Sequence, residues 1–225
     1  MNREWYISVF TFLLLTFMVV ACEIDDDDSG DGKLSYMRAD FANIHTADAK
    51  TVDYALTDNN DSLRLTPLAT CGWAAEPDSL YRALLYYNVK TKDTGNVEAI
   101  SISQVLALTL MTTSKLKEIY TDPILFESAW VSPNHKYLNL GLYVKTGYKE
   151  GDEKQTLGML CDSIYTHDDG TRRYDIRLFH NQNNIPAYYS SRVYASVPLD
   201  DFQPGDTLFL SVNTYEGLVQ RTIVY

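Results

Sequence analysis

The residues with the clearest catalytic potential are two pairs of adjacent aspartates, Asp168-Asp169 and Asp200-Asp201. A glycosidase needs two carboxylates that face a sugar across about 5–9 Å. Both pairs are surrounded by turn-forming residues, and we therefore expect solvated turn positions and no catalytic acids. The sequence also has no Gly-x-Ser-x-Gly nucleophile elbow. We predict that the protein has no catalytic residues and is not an enzyme.

Histidine and cysteine spacing does not indicate a metal site. The histidines are scattered along the chain, and no His-Glu-x-x-His or paired Cys-x-x-Cys motif occurs. The chain has four histidines: His45, His135, His167 and His180. We therefore predict no metal ligands and no cofactor.

Aromatic and polar side chains indicate where a ligand could bind. Trp73 follows Gly72 in a turn-rich stretch, so we expect an exposed ring that could stack on a sugar. His180 and Asn181 end a predicted strand, and they either form a hydrogen-bonding rim for a ligand or tie down the turn. If the adjacent tyrosines at 86–87 and 188–189 lie in strands, each pair sends one ring inward and one outward.

Three cysteines are present. Cys22 follows an apolar run and is the candidate for lipidation. Cys71 and Cys161 then remain as an even pair, which in an oxidising compartment could form a disulfide. The alternative is two separately buried thiols, and sequence alone does not distinguish these arrangements.

The first folded segment, residues 33–118, contains short alternating runs without helical periodicity. The run Leu80–Val89 places alternate residues on opposite faces, as a strand requires. Closely spaced strands of this kind predict a small barrel, and an OB-like barrel fits their number.

The second segment, residues 119–225, begins near Ile119, within the polar stretch Lys115–Thr121. Arg173–Phe179 alternates, with Tyr174, Ile176 and Leu178 on one face. Regularly spaced strands separated by turns predict an antiparallel β-sandwich of Greek-key type. The predicted fold class is therefore all-β, with a small OB-like barrel followed by a sandwich.

The N-terminus has the composition of a secretory leader. Ile7–Val20 is uncharged but is shorter than the ~20 residues that span a membrane. Val19-Val20-Ala21-Cys22 resembles the lipobox of bacterial lipoproteins, in which the cysteine receives lipid. We therefore predict a signal peptide at residues 1–21 and a lipidated, palmitate-carrying Cys22 that attaches the protein to a membrane.

An acidic segment at residues 22–32 follows the leader. It contributes −6 of the formal net charge of −11, so we expect an extended, solvated tether. Asp25–Asp28 resembles the acidic export signal of Bacteroidota lipoproteins, which implies the outer membrane and the cell surface, with its periplasmic face as the alternative. The remaining segments are only mildly acidic and show no basic stripe, so we predict no nucleic-acid partner.

Motifs in the second segment resemble a known family. Asp122-Pro123-Ile124, Ala129-Trp130, Tyr137-Leu138-Asn139-Leu140 and Leu178-Phe179-His180-Asn181 are similar to the marks of the NigD-like lipoproteins of Bacteroidota. This resemblance implies an N-terminal OB-like domain, a C-terminal β-sandwich and a lipoprotein leader. It implies no established reaction.

These patterns together predict a non-catalytic, lipid-anchored envelope protein that acts as a binding or assembly module. Its partner is expected to be a glycan or an envelope protein. The first alternative is a secretion- or bacteriocin-associated accessory protein, and the second is an envelope glycan hydrolase.

Overall fold

The computed structural model describes residues 37–89, 95–151 and 153–225. The predicted leader, Cys22 and acidic tether lie outside the described residues. The described residues are all-β, as predicted, and none of their helices is long and apolar enough to cross a membrane. The strands are β1 Met37–Asp48, β2 Thr51–Thr57, β3 Ser62–Thr70, β4 Ser79–Val89, β5 Asn96–Gln104, β6 Leu106–Ala107, β7 Leu110–Thr112, β8 Leu125–Val131, β9 Tyr137–Thr146, β10 Thr156–Thr166, β11 Arg172–Asn181, β12 Tyr189–Pro198, β13 Thr207–Thr214 and β14 Gly217–Val224.

The first five strands form a closed barrel in the order β1-β2-β3-β5-β4. The long strand β1 pairs with both β2 and β4, which closes the sheet on itself. Along β1 the buried residues alternate, with Ala42, Ile44 and Thr46 facing the interior. The predicted small barrel is therefore confirmed.

The remaining strands form two packed sheets, ordered β14-β13-β11-β10-β7 and β6-β12-β9-β8. β11 supplies Tyr174, Ile176 and Leu178 to the buried core, on the face that its alternation predicts. Most neighbouring strands are antiparallel, but β7–β10, β11–β13 and β6–β12 pair in parallel. The predicted sandwich is confirmed; it differs from the predicted antiparallel arrangement in these parallel pairs.

The transition between the two domains comes earlier in the chain than predicted. β5 ends at Gln104, and β6 and β7 already pair with strands of the sandwich. The polar stretch around Ile119 predicts a later boundary, and strands of two or three residues are too short to show an alternating pattern that would indicate the earlier one. The structure places residues 106–112 in the second domain.

A buried polar cluster joins the barrel to the sandwich. Arg82 donates from both terminal nitrogens to Asp58, at 2.7 and 2.6 Å. The same guanidinium donates to Asn139 Oδ1 and Ser196 Oγ at 3.1 Å each. Asn139 donates in turn to Asp58 at 3.1 Å and accepts from Ser196 at 2.6 Å. All four side chains are buried, so this cluster fixes the two domains together.

Aromatic rings surround this cluster. The Phe41 ring meets the rings of Trp130 and Tyr194 edge-on, with centroids 5.4 and 5.2 Å apart. The Arg82 guanidinium lies 3.9 Å from the centroid of Tyr137, an arrangement that favours a cation. Trp130 is therefore a domain-junction residue.

Candidate functional site

Trp73 lies at the edge of a groove at the domain junction. Its ring is half-buried and meets Tyr81 edge-on, with centroids 5.8 Å apart. Both rings pack against the barrel core. The groove has a volume of about 510 Å³ and is lined also by Leu80, Gln155 and Leu157. Trp73 therefore supports the groove with part of its ring and does not form the exposed platform that the sequence predicted.

His180 is buried and engaged on both ring nitrogens. Its Nδ1 lies 3.0 Å from the backbone oxygen of Asp122, and its Nε2 lies 2.9 Å from Oε1 of Gln155. Its backbone N–H also donates to the oxygen of Tyr120. The side chain thus holds the chain near residues 120–122 against β11 and does not line a ligand rim.

Asn181 stabilises the turn that follows β11. Its side-chain oxygen accepts from the backbone N–H of Asn183 at 2.9 Å, as asparagine side chains commonly do in turns. Asn183 and Asn184 both have positive φ, at 50° and 55°, which asparagine tolerates better than most residues. The turn-forming alternative of the sequence analysis therefore describes the geometry of Asn181.

Cys71 and Cys161 are free thiols in separate hydrophobic cores. Cys71 lies in the barrel core and Cys161 lies in the sandwich core. Burial raises the pKa of both thiols. The disulfide considered from the sequence does not form, because each cysteine packs inside its own domain.

Both aspartate pairs are exposed in turns. Asp169 accepts from the hydroxyl and the backbone N–H of Thr171, at 2.7 and 3.0 Å. These bonds lower the pKa of Asp169, the hydroxyl bond being the larger cause. The carboxylate is therefore a turn cap, stabilised in its charged form. Among the described residues, no group of three or more His, Cys, Asp or Glu side chains is placed to hold a metal ion.

Exposed tyrosines concentrate at one end of the sandwich. Tyr148 and Tyr189 are 82% and 61% exposed, and both line a groove of about 530 Å³. The neighbouring Tyr188 is 79% exposed. We call this the tyrosine groove; its other lining residues include Thr146, Lys149, Glu153, Gln155 and Ser191. The inward and outward alternation of Tyr188 and Tyr189 was expected only if both lie in a strand, and this condition is not met, because β12 begins at Tyr189.

Gly147 fixes the position of the Tyr188 ring. A Cβ at position 147 would lie 2.7 Å from Cδ2 of Tyr188 and 2.9 Å from the oxygen of Pro186. The ring therefore packs on the backbone directly after β9, where only glycine leaves room. The backbone N–H of Tyr188 also donates to the oxygen of Thr146 at 3.0 Å. The close approach to Gly147 and the backbone hydrogen bond of Tyr188 therefore fix the position of this exposed ring.

The two loops that form the tyrosine groove are bonded to each other. Lys149 on the β9–β10 loop donates to the backbone oxygen of Asn183 at 2.8 Å. Gln155 donates to the oxygen of Lys145 at 2.7 Å while its own oxygen faces His180. Ile185 is buried beneath these bonds. The groove is therefore preorganised, which lowers the ordering cost of binding.

A family model for the NigD-like C-terminal beta sandwich domain matches residues 107–225 of the chain. This match covers more than half of the sequence. The chain belongs to the NigD-like family. The resemblance drawn from the sequence motifs is therefore confirmed, and the match begins at the strand where the sandwich begins.

Solved structures share the fold of this NigD-like chain. A NigD-like immunity protein from Bacteroides caccae aligns over 82% of this chain and 90% of its own, at 20% identity and a TM-score of 0.63. A protein provisionally named toxin-related, from Parabacteroides distasonis, covers 84% and 93% at 17% identity and a TM-score of 0.60.

A protein provisionally named a lipoprotein, from Bacteroides fragilis, covers 84% of this chain and 98% of its own, at 11% identity and a TM-score of 0.58. At these identities the likeness establishes the fold. No curated protein is significantly similar to the NigD-like chain.

Sequence reasoning about this NigD-like chain missed Tyr148, Gly147 and Lys149 as parts of a site. Tyr148 stands in a polar loop, where a single aromatic residue carries no periodic signal. The adjacent Gly147 and Tyr148 were the available clue, since a glycine beside an exposed aromatic can mark a close approach of another chain segment.

Proposed function

We propose that this NigD-like protein is a non-catalytic, lipid-anchored envelope protein that acts as a binding module. The observation that carries the proposal is the tyrosine groove, where exposed aromatic rings surround a preorganised cleft. Exposed large aromatics gathered around one groove are characteristic of interaction sites, because tyrosine supplies a rigid, amphipathic contact surface.

The groove is best suited to a glycan. Its two exposed rings, Tyr148 and Tyr189, offer flat apolar faces for the carbon-bound hydrogens of a sugar ring. Its polar residues, including Glu153 and Ser191, supply an acceptor and a hydroxyl for the hydroxyl groups of the sugar. The volume of about 530 Å³ and the open shape accommodate a short oligosaccharide segment.

Removing both rings should abolish most of this affinity. The double variant Tyr148→Ser/Tyr189→Ser should bind its best glycan at least about fivefold more weakly, because stacking on each ring should contribute at least about 0.5 kcal/mol beyond area burial, as it does in aromatic pairs. The measurement is an array of envelope and host glycans probed with the full chain. The matched control is Tyr165→Ser, which removes an exposed ring at the opposite end of β10.

Two results would contradict the proposal. One is binding by the double variant that equals the wild type, while the other is an equal loss in the Tyr165→Ser control. Thermal melts of all variants check that the fold is retained. Capture of a peptide by the same two tyrosines would keep the groove as the site but replace the ligand class.

We propose the outer membrane as the location, with the chain held by lipid on Cys22 and exposed at the cell surface. The motivation is the lipobox-like sequence and the acidic run that follows it; one structural neighbour is provisionally named a lipoprotein. A palmitate analogue should label the wild type and not Cys22→Ser, and protease added to whole cells should remove the protein. Continued labelling of Cys22→Ser would refute the anchor, and protection from protease would favour the periplasmic face.

A bacteriocin-associated accessory role is the second candidate. It is favoured by the names of two structural neighbours, an immunity protein and a protein provisionally named toxin-related. Such a role also requires binding, with a toxin in place of a glycan. Deleting the chain should then sensitise cells to a bacteriocin from related strains, and unchanged sensitivity across a panel of such toxins would count against it.

A further inference from the structure

The barrel carries a larger groove, separate from the tyrosine groove and independent of the proposed function. It has a volume of about 860 Å³ and lies across β2, β3 and the start of β5. We call it the barrel groove; its wall includes Asp53, Tyr54, Arg64, Pro67, Leu68 and Asn96.

Strand register brings one row of side chains together beside this groove. His45 pairs with Tyr54 across β1 and β2, and Tyr54 pairs with Arg64 across β2 and β3. Arg64 pairs with Asn96 across the parallel strands β3 and β5. Directly paired residues project to the same face of a sheet, so these four side chains form one continuous row.

Two polar side chains in this row have no protein partner within the described ranges. No hydrogen bond or ion pair is made there by the guanidinium of Arg64, which is exposed, or by the side-chain amide of Asn96. Other arginines of the chain contact carboxylates: Arg82 with Asp58, Arg172 with Asp206, Arg173 with Asp175, Arg177 with Asp162 and Arg192 with Glu127. With respect to the described residues, the guanidinium of Arg64 in the barrel groove is therefore available as a fork for an external carboxylate.

The acidic side chain that lines the barrel groove with Arg64 is already engaged. Asp53 lies 2.7 Å from Nδ1 of His45, whose Nε2 lies 3.1 Å from Asp78. These two carboxylates raise the pKa of His45, the bond to Asp53 being the larger cause. Asp53 thus has a partner in His45, and among the described residues it makes no ion pair with Arg64.

The rest of the row provides a surface for a ring. One face of Tyr54 stacks on His45, with centroids 4.4 Å apart and an angle of 14° between the rings. Tyr54 lines the groove together with Pro67 and the exposed Leu68. An apolar wall beside the amide of Asn96 and the guanidinium of Arg64 suits a sugar ring that carries an acid group.

We propose that the barrel groove binds a uronic-acid-type sugar, with its carboxylate on Arg64, its ring against Tyr54 and its hydroxyls on Asn96. Arg64 is the cationic side chain among the lining residues of the barrel groove. The ligand therefore carries one carboxylate near the groove, as at the end of an otherwise neutral oligosaccharide.

Calorimetric titration of the full chain in mild detergent tests this proposal. The probes are a neutral trisaccharide with one terminal uronic acid, its methyl ester and the unmodified trisaccharide. The acidic probe should bind at least tenfold more tightly than the ester, and Arg64→Gln should remove that advantage. The matched control Arg221→Gln, which changes the same charge on the exposed strand β14, should leave binding unchanged.

The outcomes separate the two binding sites. Loss of binding in Arg64→Gln with retention in Tyr148→Ser/Tyr189→Ser supports the barrel groove, whatever the tyrosine groove does. The proposal is overturned if the ester binds as well as the acid, or if Arg64→Gln binds like the wild type. It is also overturned if the acid shows no binding at 10 mM; a Kd of 10 mM corresponds to a binding free energy of about 2.7 kcal/mol.

Discussion

Replacing Arg82 with Met should lower the free energy of unfolding by about 3–5 kcal/mol. The substitution leaves Asp58 charged and buried at the domain junction, without the guanidinium that donates to both of its oxygens. An uncompensated charge in such a place is costly because water cannot reach it. Asn139 and Ser196 also lose their shared donor.

A second variant distinguishes the cost of an unpaired buried carboxylate from the loss of the ion pair itself. Arg82→Met/Asp58→Leu removes both charges, and it should recover most of the loss, because an apolar pair of similar volume often replaces a buried ion pair at little cost. Urea unfolding of both variants measures these differences. Equal destabilisation by the single and the double variant would contradict this account, and so would a loss below about 1 kcal/mol for Arg82→Met.

Asp206→Asn should produce the second large loss, about 2–4 kcal/mol. Asp206 is buried at the start of β13 and accepts from the backbone N–H groups of Gln203 and Arg172, at 3.0 and 2.8 Å. It also accepts from Nε and Nη2 of Arg172, at 3.2 and 2.8 Å. An asparagine side chain keeps one acceptor oxygen and presents an NH₂ group to the remaining donors.

The same carboxylate makes stability depend on pH. Burial raises the pKa of Asp206, but the backbone donors and the Arg172 guanidinium outweigh it and hold the pKa below its usual value. A carboxyl whose pKa is lowered by folding contributes stability above its pKa in the unfolded state, about 3.9. This stability is lost as the pH falls through its pKa in the folded state. The difference in the free energy of unfolding between wild type and Asp206→Asn should therefore become smaller below about pH 4. A difference in the free energy of unfolding that stays constant down to pH 2 would contradict the assignment of this pH dependence to Asp206.

The strand pattern of the longer elements was readable from the sequence. β11 alternates without interruption, so Tyr174, Ile176 and Leu178 were correctly placed on one face. β6 and β7 were missed because two or three residues cannot display a period of two. Their pairing depends on distant partners, β12 and β10, which no local pattern reveals.

The candidate sites were harder to predict for a related reason. His180 and Trp73 were chosen because residues of these types often bind ligands. In the structure, the ring nitrogens of His180 and the ring of Trp73 contact other residues of the protein instead. The tyrosine groove depends on Gly147 lying beneath Tyr188, a contact between segments about forty residues apart. Strand register likewise creates the row that includes Arg64, and the sequence does not state that register.

Rigidity connects the fold to the proposed function. The Arg82 cluster holds the barrel against the sandwich, and the bonds of Lys149 and Gln155 hold the loops of the tyrosine groove. A ligand that meets a preformed surface loses less affinity to ordering of the protein. The structure thus presents its exposed rings on a fixed support.

Photo-crosslinking tests the binding role of the tyrosine groove most directly. A benzophenone amino acid is introduced in place of Tyr148, Tyr189 or Tyr165 in the full chain on intact cells, together with a labelled form of the tightest glycan from the array. We predict ligand-dependent crosslinks from positions 148 and 189 that excess unlabelled glycan removes, and none from position 165. Crosslinks from 165 alone, or equal crosslinks from all three positions, would contradict a ligand site in the tyrosine groove.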